Sequence, residues 1–230
     1  MNLAGINFVE NNVFPLTNLP IYQASLEFSP NFFEQFSPTH DGFGNLKSTS
    51  NKRKNEFIAG RLCVKQAFIN MGVHPKPIPV TADGAPLWPE EIVGSISHTN
   101  NFAFSALARK KEISGLGIDT EAWIDKKRIK NVVEFVATKK ETNWLKRQTL
   151  SKKIKLFTLL FSAKESVYKY FYSLTKTSID FEDLEITIEE NPANQFRFKL
   201  LKNLSVEFSK GYEGTGWYEH DLHRVYTLTL

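Results

Sequence analysis

The chain has 230 residues, of which 41% are hydrophobic and 23% charged, as expected for a globular protein with one large or two small domains. Its single cysteine, Cys63, excludes an internal disulfide, and no apolar run is long enough to span a membrane. The first basic residue is Lys47, so the sequence offers no positively charged signal-peptide start, and we expect a cytoplasmic protein.

Charge is distributed unevenly along the chain. Residues 1–46 contain four acids and no Lys or Arg, so all 29 basic residues lie in the remainder, against the other 21 of the 25 acids. A surface of this kind favours anionic partners, namely nucleotides, nucleic acid or an acidic protein.

The first predicted elements are a strand over Ile21–Phe28 and a helix over Ser48–Met71 that Gly72 is placed to end. One face of this helix carries a repeat at every fourth position: Arg53, Phe57, Arg61 and Lys65. The long basic side chains suit either a solvated helix face or a phosphate clamp, because guanidinium groups grip phosphate oxygens in pairs.

A proline-rich connector follows over His74–Pro89, with a turn signal at Asp83-Gly84. After it come the segment Gly94–His98 and a predicted strand over Phe102–Leu107. The residue types alone leave His98 open to a structural role as well as a functional one.

Two carboxylates stand at the end of an apolar strand in Gly115–Trp123, whose sequence is GLGIDTEAW. Asp119 and Glu121 are two residues apart, so on a strand they project from the same face. Their charges repel at that distance, and Mg²⁺, which prefers oxygen ligands, is the natural cation to place between them. The alternative is an exposed acidic pair at a strand end, with no function.

The segment Ile154–Leu174 has the apolar spacing of a helix and contains the sequence FSAKESVYK from Phe161 to Lys169. Glu165 and Lys169 are four residues apart and therefore lie on one face of that helix. By themselves they are also consistent with a surface ion pair of about 0.3–0.5 kcal/mol.

A strongly basic stretch lies between these two motifs, with eleven basic residues and two acids from Lys126 to Lys155. Its interrupted apolar pattern predicts one or two helices. The charge is consistent with a solvated face, with a docking surface for an acidic protein, or with nucleic-acid binding.

Four further strands are predicted in the C-terminal part, over Leu184–Ile188, Phe196–Leu200, Leu204–Phe208 and Val225–Leu230. The segment His220–His223 suggests a metal site, but its place beside a terminal strand favours a structural role. We find no P-loop, no zinc-ligand spacing and no nucleophile elbow in the sequence.

Taken together, G-I-D-x-E at Gly117–Glu121 and F-S-x-K-E-S-x-x-K at Phe161–Lys169 resemble the paired signature of the 4′-phosphopantetheinyl transferases. The chain is similar to the larger, pseudo-dimeric class of that family, which activates siderophore and surfactin synthases. The resemblance begins near Arg53 in RKNEFIAGRLCVKQAF. Thr120 departs from the aliphatic residue often found between the two acids, but it faces away from them.

The resemblance implies an α+β fold of two similar halves, 1–114 and 115–230, related by a pseudo-twofold with the active site between them. It implies a monomeric enzyme that transfers the phosphopantetheine arm of coenzyme A to a serine of an acyl, peptidyl or aryl carrier protein. The reaction would depend on Mg²⁺ and release adenosine 3′,5′-bisphosphate. No membrane partner is implied, and nucleic acid is not the expected ligand.

The resemblance also implies roles for particular residues. The Mg²⁺ ligands would be Asp119, Glu121 and Glu165. Catalysis would fall to Asp119, to Glu165 as the base for the serine proton and to Lys169 as the group that stabilises phosphate charge. The residues expected to contact coenzyme A are Arg53, Arg61, Lys65, Ser97, His98, Lys164 and Lys169, with Ser95 a weaker candidate.

Two other functions are consistent with the same residues. One is a different Mg²⁺-dependent enzyme that acts on phosphate esters without a carrier protein. The other is a nucleic-acid-binding module that uses the basic stretch, which leaves the acidic cluster unexplained.

Overall fold

The computed structural model describes residues 6–9, 13–14, 19–35, 49–189 and 194–230. The chain divides into two compact units, Met1–Leu116 and Gly117–Leu230. In each unit a long helix packs on an antiparallel sheet, which confirms the α+β class. The pseudo-twofold relation of the halves and a site between them stay predictions.

Within its described residues, the first unit contains one long helix and three strands. Their bounds are β1 (Ile21–Glu27), α1 (Asn51–Asn70), β2 (Ile92–Thr99) and β3 (Phe102–Arg109). The strand order is β1-β3-β2 with antiparallel neighbours. Ser50 caps α1, because its hydroxyl accepts a hydrogen bond from the Arg53 amide, and Gly72 follows the end of the helix with a φ of 71°.

The core of the first unit lies between α1 and its sheet. Ile58, Leu62 and Phe68 of α1 are buried in one cluster with Ala103 and Leu107 of β3. The inward face of α1 is therefore apolar, and most of its basic side chains remain on the other faces.

Within its described residues, the second unit contains three α-helices and five strands. Their bounds are β4 (Gly117–Ala122), α2 (Lys126–Val136), α3 (Lys139–Lys146), α4 (Leu150–Thr175), β5 (Leu184–Glu189), β6 (Gln195–Leu200), β7 (Glu213–His220) and β8 (Arg224–Thr229). The antiparallel sheet has the order β4-β8-β7-β6-β5. Phe157, Leu160 and Phe171 of α4 pack in one buried cluster with Phe196 and Phe198 of β6.

Helix α4 approaches strands β4 and β8 closely through small side chains. The Ser162 and Thr227 hydroxyls are 2.9 Å apart, and those of Ser166 and Thr229 are 3.1 Å apart. At Gly117 a Cβ would lie 1.9 Å from the Ser166 carbonyl oxygen. Glycine at position 117 therefore allows β4 and α4 to lie this close together.

We expect Gly117→Ala to destabilise the protein by about 2–3 kcal/mol, because the new methyl group meets backbone atoms of α4 at Ser166 and Tyr170. Thermal unfolding should report a Tm lower by about 5–10 °C. Gly60→Ala is the matched control, since its Cβ meets only a side-chain methyl of Ile96 at 2.9 Å. Equal stability of the two variants would contradict the close packing described for Gly117.

The predicted strand over Leu204–Phe208 is wrong. The Leu204 amide donates to the Phe208 carbonyl at 2.9 Å, and the Ser205 hydroxyl accepts from the Phe208 amide at 3.1 Å. These bonds close a turn between β6 and β7, and Val206 in its middle is fully exposed.

Strand β7 was not predicted, because Gly214 and Gly216 interrupt its apolar pattern. The rings of Phe198 and Phe196, from the paired strand β6, cover these two glycines. The other predicted strands and the helices α1 and α4 are confirmed to within a few residues at each end. Within the described residues, no helix is long and apolar enough to cross a membrane.

Candidate active site

The two sequence motifs of the second unit meet where β4 packs against α4. Asp119 is only 3% exposed, and its Oδ1 accepts a hydrogen bond from the Lys169 Nζ at 2.7 Å. Glu121, two residues further along β4, and Glu165, one turn before Lys169, are both half-buried. The structure thus brings together all four of these predicted site residues.

The pKa values show that these charged groups act on one another. Burial raises the pKa of Glu121 to about 8, and the charges of Asp119 and Glu165 add to the rise, while Lys169 and Arg128 oppose it. Burial also raises the pKa of Glu165, against the opposing charge of Lys169. For Lys169 burial lowers the pKa, but Asp119 and Glu165 outweigh it and the net shift is upward. The site therefore favours a positive charge.

Among the residues that the structure describes, no group of three or more His, Cys, Asp or Glu side chains is arranged as a ready metal site. The cation that contacts Asp119 is the Lys169 ammonium group. The available donors are nevertheless carboxylate oxygens, which Mg²⁺ prefers, and a further cation would offset the charges of Asp119 and Glu165, which add to the rise that burial causes in the pKa of Glu121. In donor type and charge the residues fit Mg²⁺.

Lys164, predicted to contact coenzyme A, does not join this cluster. Its side chain is fully buried, and its Nζ lies 2.8 Å from the Glu141 Oε2. The ammonium group also donates to the carbonyls of Val136, Phe181 and Leu184 at 2.7–2.8 Å. Because its three protons are shared among these protein oxygens, Lys164 is placed to hold chain segments together and not to bind phosphate.

Other positions of the FSAKESVYK motif also serve packing. Phe161 lies against the Phe181 ring at 5.5 Å, while Ser162 and Ser166 form the hydroxyl contacts with β8. Only Glu165 and Lys169 of this motif reach the carboxylate cluster.

A cavity of about 240 Å³ adjoins Glu165 within the second unit. Apolar groups of Ile179, Phe181 and Leu184 line it together with polar or charged residues, namely Lys164, Tyr168, Ser178 and Asp180. Its position beside a carboxylate of the cluster makes it a candidate binding space for an uncharged part of a substrate.

A second cluster of predicted site residues lies in the first unit. The Arg53 Nη1 is 3.1 Å from the His98 Nε2. The Arg61 guanidinium lies over the Phe57 ring at 4.7 Å, and burial lowers its pKa to about 10. Its Nε is buried without a hydrogen-bond partner in the described structure. A cation deprived of water in this way favours an anionic ligand.

For the remaining residues predicted to contact coenzyme A, the structure gives the position and the burial of each side chain. Lys65 is half-buried on α1, and Ser97 and Ser95 are buried in β2. No contact of these side chains assigns them to a ligand.

The sequence analysis missed three charged residues that interact with predicted site residues. Glu141 could have been found, because Thr138 and Glu141 form the spacing of a capping box, which the structure contains. Glu56 lies one turn after Arg53 on α1 and contacts His98. Arg128, which opposes the rise in the pKa of Glu121, carries no sequence signal beyond the basic stretch.

Two models of known protein families match consecutive parts of the chain. The model of the 4′-phosphopantetheinyl transferase N-terminal domain matches residues 44–108. The model of the 4′-phosphopantetheinyl transferase superfamily matches residues 115–227. The chain belongs to the 4′-phosphopantetheinyl transferase family. Within this family it is similar to members of the siderophore type.

Individual members of the 4′-phosphopantetheinyl transferase family align over much of the chain. Enterobactin synthase component D of Salmonella typhimurium is 32% identical over 192 residues, which cover 83% of this chain and 76% of that protein. The 4′-phosphopantetheinyl transferase Svp of Streptomyces mobaraensis is 35% identical over 65% of this chain. PptT of Mycobacterium tuberculosis is 34% identical over 60% of it. The chain spans 60% of the length of each of these two transferases.

Proposed function

We propose that the protein transfers the 4′-phosphopantetheine arm of coenzyme A to a serine of a carrier protein and releases adenosine 3′,5′-bisphosphate. The observation that carries the proposal is the contact between Asp119 and Lys169 inside a cluster of half-buried carboxylates. Asp119 and Lys169 belong to the two sequence motifs that resemble the family signature. The names of the aligned relatives support the same activity.

In the proposed reaction the serine oxygen forms a bond to the phosphorus that carries the pantetheine arm, and the pyrophosphate bond to the nucleotide breaks. Glu165 takes the serine proton, directly or through a water, and burial, which raises its pKa, strengthens it as a base. Lys169 stabilises the charge that develops on that phosphate. Mg²⁺ bound by Asp119, Glu121 and Glu165 would supply positive charge that neutralises and aligns the pyrophosphate.

We assign the nucleotide end of coenzyme A to the basic face of α1 with His98. The first turn of α1 contains no acid, and Lys52, Arg53 and Lys54 stand there beside the positive end of the helix dipole. These like charges destabilise the helix end, and a bound 3′-phosphate would relieve the repulsion. The desolvated Arg61 supports the same assignment, with Lys65 and Ser97 as further contacts.

The pantetheine arm is assigned to the cavity beside Glu165. The arm contains both apolar groups and amides, and the cavity combines apolar walls at Ile179 and Phe181 with polar groups of Tyr168, Ser178 and Asp180. This placement would keep the reacting phosphate next to Glu165 and Lys169.

The direct test is incubation with coenzyme A, Mg²⁺ and a panel of apo-carrier proteins, followed by intact mass measurement of the carriers. The expected result is a carrier that gains one phosphopantetheine group, and no gain after metal chelation or without coenzyme A. Breakdown of coenzyme A without any carrier would point to a different phosphate-ester enzyme. Binding of DNA or RNA with a steep salt dependence, and no transfer, would favour the nucleic-acid module.

We further propose that the basic stretch Lys126–Lys155 docks the acidic carrier. Along α2, Ile129, Val133 and Val136 are buried, whereas Phe135 is 79% exposed. The basic side chains Lys126, Lys127, Arg128 and Lys130 are exposed on the same helix. A helix that exposes both an aromatic ring and several cations suits an acidic protein with apolar contacts of its own.

Reversing Lys152 and Lys153 to Glu is expected to lower kcat/KM for the carrier and to flatten its dependence on salt, while kcat stays nearly unchanged. Charge steering acts on encounter, and exposed charges are screened beyond about 8 Å at physiological salt. Steady-state kinetics over a salt series would measure both effects. The same reversal at Lys110 and Lys111, an exposed pair in the first unit, is the matched control. If the reversal of Lys152 and Lys153 left the salt dependence of kcat/KM unchanged, the basic stretch would be only a solubilising surface.

A further inference from the structure

A carboxylate lies beside the cluster that Arg53, Arg61 and His98 form in the first unit. Glu56 is the only acid in α1, and it is 7% exposed. Its oxygens lie 3.6 Å from the Nδ1 of His98 and 3.8 Å from the Nζ of Lys52. A buried negative charge repels phosphate, so its presence beside residues proposed to bind the nucleotide phosphate requires a physical reason.

The contact between Arg53 and His98 supplies that reason. A guanidinium group has only donors, so the His98 Nε2, 3.1 Å from the Arg53 Nη1, must act as the acceptor. In a neutral imidazole the proton then resides on Nδ1. That nitrogen is the one that faces the Glu56 Oε2.

We propose that Glu56 is a positioning residue that selects the Nδ1-protonated form of His98 and thereby orients the Arg53 guanidinium for the nucleotide phosphate. The chain of contacts runs from Glu56 through the ring of His98 to Arg53. A carboxylate that fixes the tautomer of a histidine through its other nitrogen is a common arrangement around metal-binding and catalytic histidines. The proposal rests on the proposed function, because it assigns this cluster to the nucleotide.

The proposal can be tested by whether removal of the Glu56 carboxylate strengthens or weakens nucleotide binding. If Glu56 acted only through its charge, Glu56→Ala would strengthen nucleotide binding, because a repulsive group is removed. If it positions His98 and Arg53, the same substitution weakens binding. Glu56→Gln separates the two roles, since it loses the charge but keeps an oxygen that can accept from Nδ1.

The experiment is calorimetric titration of the full chain with coenzyme A and with adenosine 3′,5′-bisphosphate. We expect Glu56→Ala to weaken both affinities about 10-fold and Glu56→Gln to leave them within about twofold. In a His98→Ala background Glu56→Ala should cause no further loss, whereas a general effect on α1 would weaken binding in both backgrounds. Unchanged or stronger binding by Glu56→Ala with His98 present would overturn the proposal.

Nitrogen-15 NMR of the histidine rings gives a second measurement that needs no nucleotide. His98, assigned by its loss in His98→Ala, should carry its proton on Nδ1 in the wild type and shift toward Nε2 protonation in Glu56→Ala. A wild-type ring protonated on Nε2 would contradict the proposal. Wild-type protein that binds neither nucleotide would contradict the proposed function, and the NMR result would still decide the role of Glu56.

Discussion

Asp119→Ala is expected to reduce phosphopantetheine transfer by about 100-fold or more while the protein remains folded. The side chain is 3% exposed, and its Oδ1 lies 2.7 Å from the Lys169 Nζ. Its removal deletes one proposed metal ligand and one partner of the lysine proposed to stabilise the phosphate. The rate of mass gain by a carrier protein at saturating Mg²⁺ measures the effect.

Two further variants show whether the charge of Asp119 is the cause. Asp119→Asn keeps the size of the side chain and a hydrogen-bond acceptor but loses the charge, so its activity should fall nearly as far. Glu207→Ala removes an exposed carboxylate outside the cluster of the same unit and should retain wild-type transfer. Near wild-type turnover of Asp119→Ala would remove Asp119 from the proposed site.

Lys164→Met is expected to lower the free energy of unfolding by about 3–5 kcal/mol, because it leaves the buried carboxylate of Glu141 without its counter-charge. The carbonyls of Val136, Phe181 and Leu184 lose their donor at the same time. Denaturant titration measures the loss, and Tm should fall by about 10 °C. For protein that is still folded, the KM for coenzyme A should stay near the wild-type value.

A double variant and a surface control distinguish this structural role from phosphate binding. Adding Glu141→Gln to Lys164→Met removes the uncompensated charge and keeps an acceptor for one of the two amides, Thr138 or Ile186, that Glu141 accepts from, so part of the stability should return. Lys140→Ala breaks an exposed pair with Glu185 and should cost less than about 1 kcal/mol. A stable Lys164→Met with a raised KM for coenzyme A would restore the phosphate-binding role.

The sequence by itself determined the local features of the site. Spacing of two on β4 placed Asp119 and Glu121 on one face, and spacing of four on α4 did the same for Glu165 and Lys169. These relations depend only on the geometry of a strand and of a helix, which neighbouring residues fix. Local signals of the same kind predicted the end of α1 at Gly72, and most strands from their alternation.

Tertiary structure decided which polar side chains face the core. Lys164 and Glu165 are neighbours, yet the first is buried against Glu141 and the second lies in the carboxylate cluster. Adjacent helical residues point about 100° apart, and only the packing of α4 on its sheet determines which direction is inside. Strand β7 could not be predicted from its own residues either. The rings of Phe196 and Phe198, from the paired strand β6, cover its two glycines and supply the apolar contacts that the glycines lack. The contact of Lys169 with Asp119 joins residues 50 positions apart, and no local pattern carries information over that distance.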